Sequence, residues 1–143
     1  HLKENHITCL FVSHEKEEFL AFADKIFVLS DNNILRSGSP KELYEEPEYA
    51  LVAELFDDVN ILELEPGRPI AVYPHEVQIS AKNKTDLKVA LRESYYRGMD
   101  YLNKAYSSDH EKYIFFTSDK LLQKRSNYYL KISHQKAFTR NIS

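Results

Sequence analysis

The residues best placed to do chemistry are Ser13 and His14, which close an apolar run and open a glutamate-rich stretch. A histidine at the end of a buried strand, just before a helix N-terminus, points into the region where α/β proteins bind anions. Its imidazole could donate a hydrogen bond to a phosphate oxygen. Taken alone, a single loop histidine is more often solvated or structural. Two other chemistries fail on residue type. His14-Glu15-Lys16-Glu17-Glu18 begins like H-E-x-x-H, but Glu18 stands where the second zinc-binding histidine is needed. Ser13 and His14 are chain neighbours, whereas a nucleophile and its base must face each other in space. His1, His6, His75, His110 and His134 have no metal-ligand spacing and read as surface residues, so no metal site is expected. Lys120, Lys124 and Arg125 form a small basic patch beside a tyrosine-rich strand and read as a solvated rim. Glu42, Glu45, Glu46 and Glu48 read as the wet face of two short helices.

The elements that must position His14 follow from local pattern. Ile7–Val12 is nearly continuous in apolar character and partly β-branched, which suits a strand buried on both faces of a parallel sheet. Cys9 within it is then a buried, reduced thiol. Glu15–Ala23 reads as a helix, with Glu15, Glu17 and Glu18 in the first turn, where carboxylates suit the dipole. Phe19, Leu20 and Ala23 supply its apolar side. Asp31-Asn32-Asn33 fits a tight turn joining the hairpin Ile26–Leu29/Ile34–Arg36. Ser39-Pro40 is a helix start, with serine as cap and proline first inside, so Lys41–Glu46 is a short helix stopped by Pro47. A second helix is expected over Glu48–Phe56, burying Ala50, Leu51, Ala53, Leu55 and Phe56. This order is that of one end of a larger α/β domain, whose parallel strand needs neighbours that the chain does not contain.

Beyond Asn60 the pattern changes to short strands: Ile61–Leu64, Ile70–Tyr73, Val77–Ser80, Leu87–Tyr96, Met99–Ala105, Lys112–Thr117 and Tyr128–Ser133. Glu65-Pro66-Gly67-Arg68-Pro69 and Arg97-Gly98 are the clearest breaks. Such a series implies a small barrel or sandwich. Charge divides at the same place. Residues 1–58 carry 5 basic and 13 acidic side chains, a net of −8, while residues 59–143 carry 14 basic and 9 acidic, a net of +5. Eight of the ten tyrosines lie in the second part, so two regions, 1–58 and 59–143, are expected to differ in fold. The whole chain, 143 residues with a net charge of −3, argues against a dedicated nucleic-acid binder. No run approaches the roughly 18 apolar residues of a membrane span. No charged-then-apolar leader opens the sequence, so no secretory signal is expected.

Leu10-Phe11-Val12-Ser13-His14-Glu15-Lys16-Glu17-Glu18-Phe19-Leu20-Ala21-Phe22-Ala23-Asp24-Lys25-Ile26 resembles the H-loop region of ATP-binding cassette (ABC) transporter ATPases. That family reads roughly hydrophobic-V-T/S-H-D/E-x-x-E-A-hydrophobic-x-x-A-D-x-hydrophobic. Asp31 to Ile34 sits at the family's hairpin turn, and Ser37-Gly38-Ser39-Pro40-Lys41-Glu42-Leu43-Tyr44-Glu45-Glu46-Pro47 resembles its G-x-P-x-E-hydrophobic-Y-x-x-P segment. Ile70 to Ser80 resembles the start of the accessory β-domain (TOBE type) of importer ATPases. There the family reads hydrophobic-R-P-E; here Tyr73 and His75 replace the Arg and the Glu, and Pro74 is retained.

The resemblance implies an α+β chain: the end of an α/β nucleotide-binding domain followed by a small antiparallel, OB-like β-barrel. It implies a regulatory C-terminal part of a bacterial importer's ATP-hydrolysing subunit, cytoplasmic and peripheral to the inner membrane. His14 would be the switch histidine that contacts the ATP γ-phosphate across a dimer. The chain has no G-x-x-x-x-G-K-[ST] loop, no hydrophobic-hydrophobic-D-E segment for magnesium and no signature loop. ATP and magnesium therefore belong to the parent, and hydrolysis by this chain alone is not expected. The expected partners are a second copy and the permease subunits, with no nucleic acid. Ferric iron or another small ion is the favoured solute, because the β-domain is short. The unneighboured Ile7–Val12 strand, or the helix at Glu48–Phe56, would be covered by the second copy. Rival readings are a free-standing oxyanion- or small-molecule-binding β-domain and a small nucleic-acid-binding barrel.

Overall fold

A computed structural model describes residues 7–81 and 86–143; His1 and His6 lie outside them. The chain begins with α1 (Lys16–Phe22), the hairpin β1 (Ile26–Ser30) and β2 (Asn33–Gly38), then α2 (Pro40–Glu45) and α3 (Ala50–Glu54). Asp31 and Asn32 form the hairpin's two-residue turn, with left-handed φ values of 49° and 62°. Both central residues in that region is the geometry that matches strand twist, and Asp and Asn tolerate it. At α2, Ser39 Oγ accepts from the Glu42 amide and the Glu42 carboxylate accepts from the Ser39 amide, a complete capping box, with Pro40 first in the helix. Phe19, Val28, Leu43, Val52, Phe56 and Tyr73 form one buried cluster beneath these elements.

Three expectations need correction here. Ile7–Val12 forms no strand: Leu10 and Val12 are 87% and 97% exposed, and the Cys9 thiol is exposed rather than buried. A strand buried on two faces needs a ladder on each side, and among the described residues this part holds only the β1–β2 hairpin. The last helix starts at Ala50 rather than Glu48. Glu48 has φ +63° and bridges to Ile142, which removes it from helical geometry. Its buried stripe is Val52, Ala53 and Phe56, with Leu51 exposed.

Beyond Asp58 the chain is antiparallel β-structure. β3 (Asn60–Glu65) pairs with β4 (Arg68–Val72), and Gly67, with φ +74°, follows Pro66 in their turn. A five-stranded sheet has the order β5-β9-β6-β7-β8, from β5 (Val77–Ile79), β6 (Leu87–Tyr96), β7 (Tyr101–Ser107), β8 (Lys112–Ser118) and β9 (Asn127–Ile132). The sheet curls so that its edges β5 and β8 approach, a half-barrel, and the fold is α+β with a small OB-like barrel. Leu62, Val72, Val77, Val89, Leu91, Ile114, Phe116 and Leu130 fill its interior. A bulge between Leu91 and Glu93 bends β6.

Asn60 joins the two sheets. Its side chain acts as a piece of backbone: Nδ2 donates to the Phe115 carbonyl (2.8 Å) and the Val72 carbonyl (3.1 Å), and Oδ1 accepts from the Phe115 amide (2.7 Å). The last residues close the other side of β4. The Ala71 amide donates to the Arg140 carbonyl, and the Ile142 amide to the Pro69 carbonyl, both at 2.9 Å. The Ser143 amide then donates to the Glu48 carbonyl at 2.8 Å. The C-terminal tail thus lies between the β-structure and the helical layer and pairs with both.

Candidate functional site

His14 stands just before α1. Its side chain is 95% exposed, and Nε2 lies 3.2 Å from a carboxylate oxygen of Glu15. Ser13 Oγ accepts from the Glu15 amide (3.0 Å) and donates to the Glu18 carboxylate, which fixes the turn into the helix. Below, Phe19 meets Phe56 edge-on at 6.0 Å, and Lys16 Nζ donates to the Phe56 carbonyl at 3.2 Å. The helix is therefore anchored while the histidine at its start faces outward. Leu10, Val12, Phe22, Leu29 and Ile34 are exposed in the same part of the chain.

The remaining singled-out residues have mainly local roles. His75 is exposed and shares a hydrogen bond with the Tyr44 hydroxyl (3.2 Å); His134 is exposed, 3.7 Å from Glu76; His110 is partly buried. Lys120, Lys124 and Arg125 are exposed between β8 and β9. Of the four glutamates, only Glu46 is simply wet. Glu42 caps α2, Glu45 pairs with Lys136 (2.8 Å) and Glu48 with Arg36 (3.0 Å). Among the described residues, no group of three His, Cys, Asp or Glu could hold a metal ion. No helix among them is long and apolar enough to cross a membrane.

Sequence reasoning missed the best-built polar cluster. Arg140 and Glu76 are each 2% exposed and form a two-pronged pair at 2.7 and 2.8 Å. Arg140 also donates to the Ala71 carbonyl (3.1 Å), and Glu76 accepts from the Tyr73 amide (2.9 Å). The guanidinium lies 4.8 Å from the Tyr73 ring and 5.7 Å from Tyr44, and the two rings stack at 4.4 Å. The Tyr73 hydroxyl donates to the Tyr44 carbonyl at 3.2 Å. A local signal existed in Tyr73-Pro74-His75-Glu76, because proline followed two residues later by glutamate fits a short helical turn, observed at Pro74–Glu76. The residues standing where the resembling family has Arg and Glu are Tyr73 and His75. Here the buried carboxylate is one position later, and its guanidinium comes from the far end of the chain.

Burial alone would raise the Glu76 carboxyl, but the Arg140 hydrogen bonds and the Tyr73 amide hold it below its ordinary value. Burial, helped by Glu76, pushes the Tyr44 hydroxyl up to about 12. Both Glu76 oxygens are committed to Arg140, so this cluster is a clamp rather than an acid–base pair. His14, in contrast, is exposed and has its imidazole open to solvent.

No family model matches the chain. Over 57 residues it is 44% identical to the spermidine/putrescine import ATP-binding protein PotA of Photobacterium profundum. In part, the chain is similar to an importer's ATP-binding protein. The match covers 40% of this chain and 15% of the relative's length.

The clamp gives a sharp expectation. Arg140→Met or Glu76→Leu alone leaves a buried charge unpaired and costs about 3–5 kcal/mol in urea unfolding, whereas the double variant costs less than either single one. Strictly additive losses would contradict the pairing. Because the folded-state value of Glu76 lies below 4.5, its contribution is complete above that pH and is lost as pH falls through the lowered value.

Proposed function

We propose that this chain is the C-terminal portion of the ATP-hydrolysing subunit of an ABC importer, in which residues 1–58 end the nucleotide-binding domain and residues 59–143 form a regulatory β-domain. The observation that carries the reading is the partial identity to an importer's ATP-binding protein. The exposed Leu10, Val12, Phe22, Leu29 and Ile34 support it, since exposed apolar side chains suit elements that pack within a larger domain. The parent couples ATP hydrolysis to solute uptake through permease subunits and works at the cytoplasmic side of the inner membrane. The relative's name makes a polyamine the solute to test first, beside ferric iron or another small ion.

In the parent, His14 serves as the switch histidine that hydrogen-bonds the γ-phosphate. The residues of this chain do not by themselves fit ATP and magnesium. Beside the exposed imidazole stands the Glu15 carboxylate, and Glu17 and Glu18 follow within the first turn of α1, a negative run that would repel a triphosphate. What this chain supplies is an imidazole on an anchored helix start, aimed outward at a phosphate that other residues must hold.

Two measurements test the reading. The gene is extended upstream and ATP hydrolysis is assayed with and without His14→Ala. A phosphate loop upstream and a loss of at least about 100-fold in the variant are expected. An upstream sequence without a nucleotide-binding half would overturn the assignment. Self-association is read by light scattering at high micromolar concentration. A second copy covering Leu10 and Val12 gives the mass of a dimer, and a clean monomer removes that part of the proposal.

A further inference from the structure

The outward face of the five-stranded sheet carries tyrosines and two lysines in register, with Arg92 exposed at the β6 bulge. Across the sheet, Asn127, Ala90, Tyr106 and Tyr113 form one row; Glu93, Lys104 and Phe115 the next; Tyr95, Leu102 and Thr117 a third. Lys88, opposite Tyr129, extends the lattice on the other side. These positions alternate with the inward Val89, Leu91, Ala105, Ile114 and Phe116, so they face outward, and Leu102 alone among them is buried. Tyr113 and Tyr95 are each 49% exposed, Lys88 and Arg92 are exposed, and Lys104 Nζ sits 4.5 Å over the Tyr113 ring. Tyr106 and Tyr113 meet at 5.4 Å. Glu93, the carboxylate in these rows, is engaged by the Tyr95 hydroxyl.

We infer that this face is a binding platform for single-stranded nucleic acid, with bases against the Tyr95, Tyr106 and Tyr113 rings and phosphates at Lys88, Arg92 and Lys104. The inference does not rest on the importer reading. Charge complementarity favours a polyanion. The row of rings favours one that carries unstacked bases, because aromatic side chains accept any base by stacking, whereas an acidic peptide would use the cations and leave the rings idle. The whole-chain charge of −3 points away from nucleic acid, but the acidic surplus lies in residues 1–58.

The test is fluorescence anisotropy of a labelled oligothymidylate of about 16 nucleotides with the full chain. Binding in the micromolar range at about 50 mM salt is expected, weakening roughly tenfold to fiftyfold at about 200 mM as the three cations release counterions. Tyr113→Ala weakens it about tenfold. Lys88→Glu with Lys104→Glu abolishes it, and Arg68→Glu on the separate β3–β4 turn leaves it unchanged. All these side chains are at least partly exposed, and far-UV circular dichroism verifies each variant's fold. No binding at the lower salt concentration overturns the inference. So does binding that Tyr113→Ala leaves intact, or that heparin competes for equally, since either outcome reduces the face to a nonspecific polyanion surface.

Discussion

Glu76 and Arg140, 64 residues apart in the chain, meet as an ion pair in its interior, and both halves of the fold lean on that contact. Taking two charges out of water is expensive, and is offset only when every donor and acceptor finds good geometry. Glu76 meets that condition by accepting from Arg140 and the Tyr73 amide; Arg140 meets it at both terminal nitrogens and lies over two tyrosine rings, while its Nε has no hydrogen-bond partner. The arrangement brings the last residues against β4. From there the tail pairs with Pro69 and Ala71 on one side and Glu48 on the other. The region of net charge −8 also meets the one of +5 at the surface, where Glu45 pairs with Lys136, a contact that salt screens.

The same clamp sets the terms for the functional reading. Tyr73 belongs to the cluster that holds Phe19 and Phe56, so the base on which α1 rests continues to Arg140. In the proposed parent, the helix that presents His14 is thus packed on the residues that begin the β-domain. Asn60 makes a second, independent join to β8.

Much of this was legible in the sequence where the signal is local. The Asp31-Asn32 turn, the Ser39-Pro40 start and the short strands after Asn60 each depend on residues within a few positions, and each formed within a residue or two of expectation. Ile7–Val12 was misleading because an apolar, β-branched run specifies a buried strand only if other strands flank it. Glu48 was misread for a related reason: its backbone is set by Ile142, at the other end of the chain. The clamp itself was invisible because nothing in the spacing of Glu76 and Arg140 reveals that they meet. A candidate such as His14 is proposed from motif; a residue such as Arg140 is found only once the chain is folded.

Hydrogen exchange, read by mass spectrometry in the wild type and in Arg140→Met, decides whether the clamp does what its geometry implies. If the clamp joins the helical layer to the barrel, the variant loses protection in α2, α3 and β4 together, while β6–β8 keep theirs. Unchanged exchange in α2 and α3 would contradict the account and leave the two regions as independent units that merely touch.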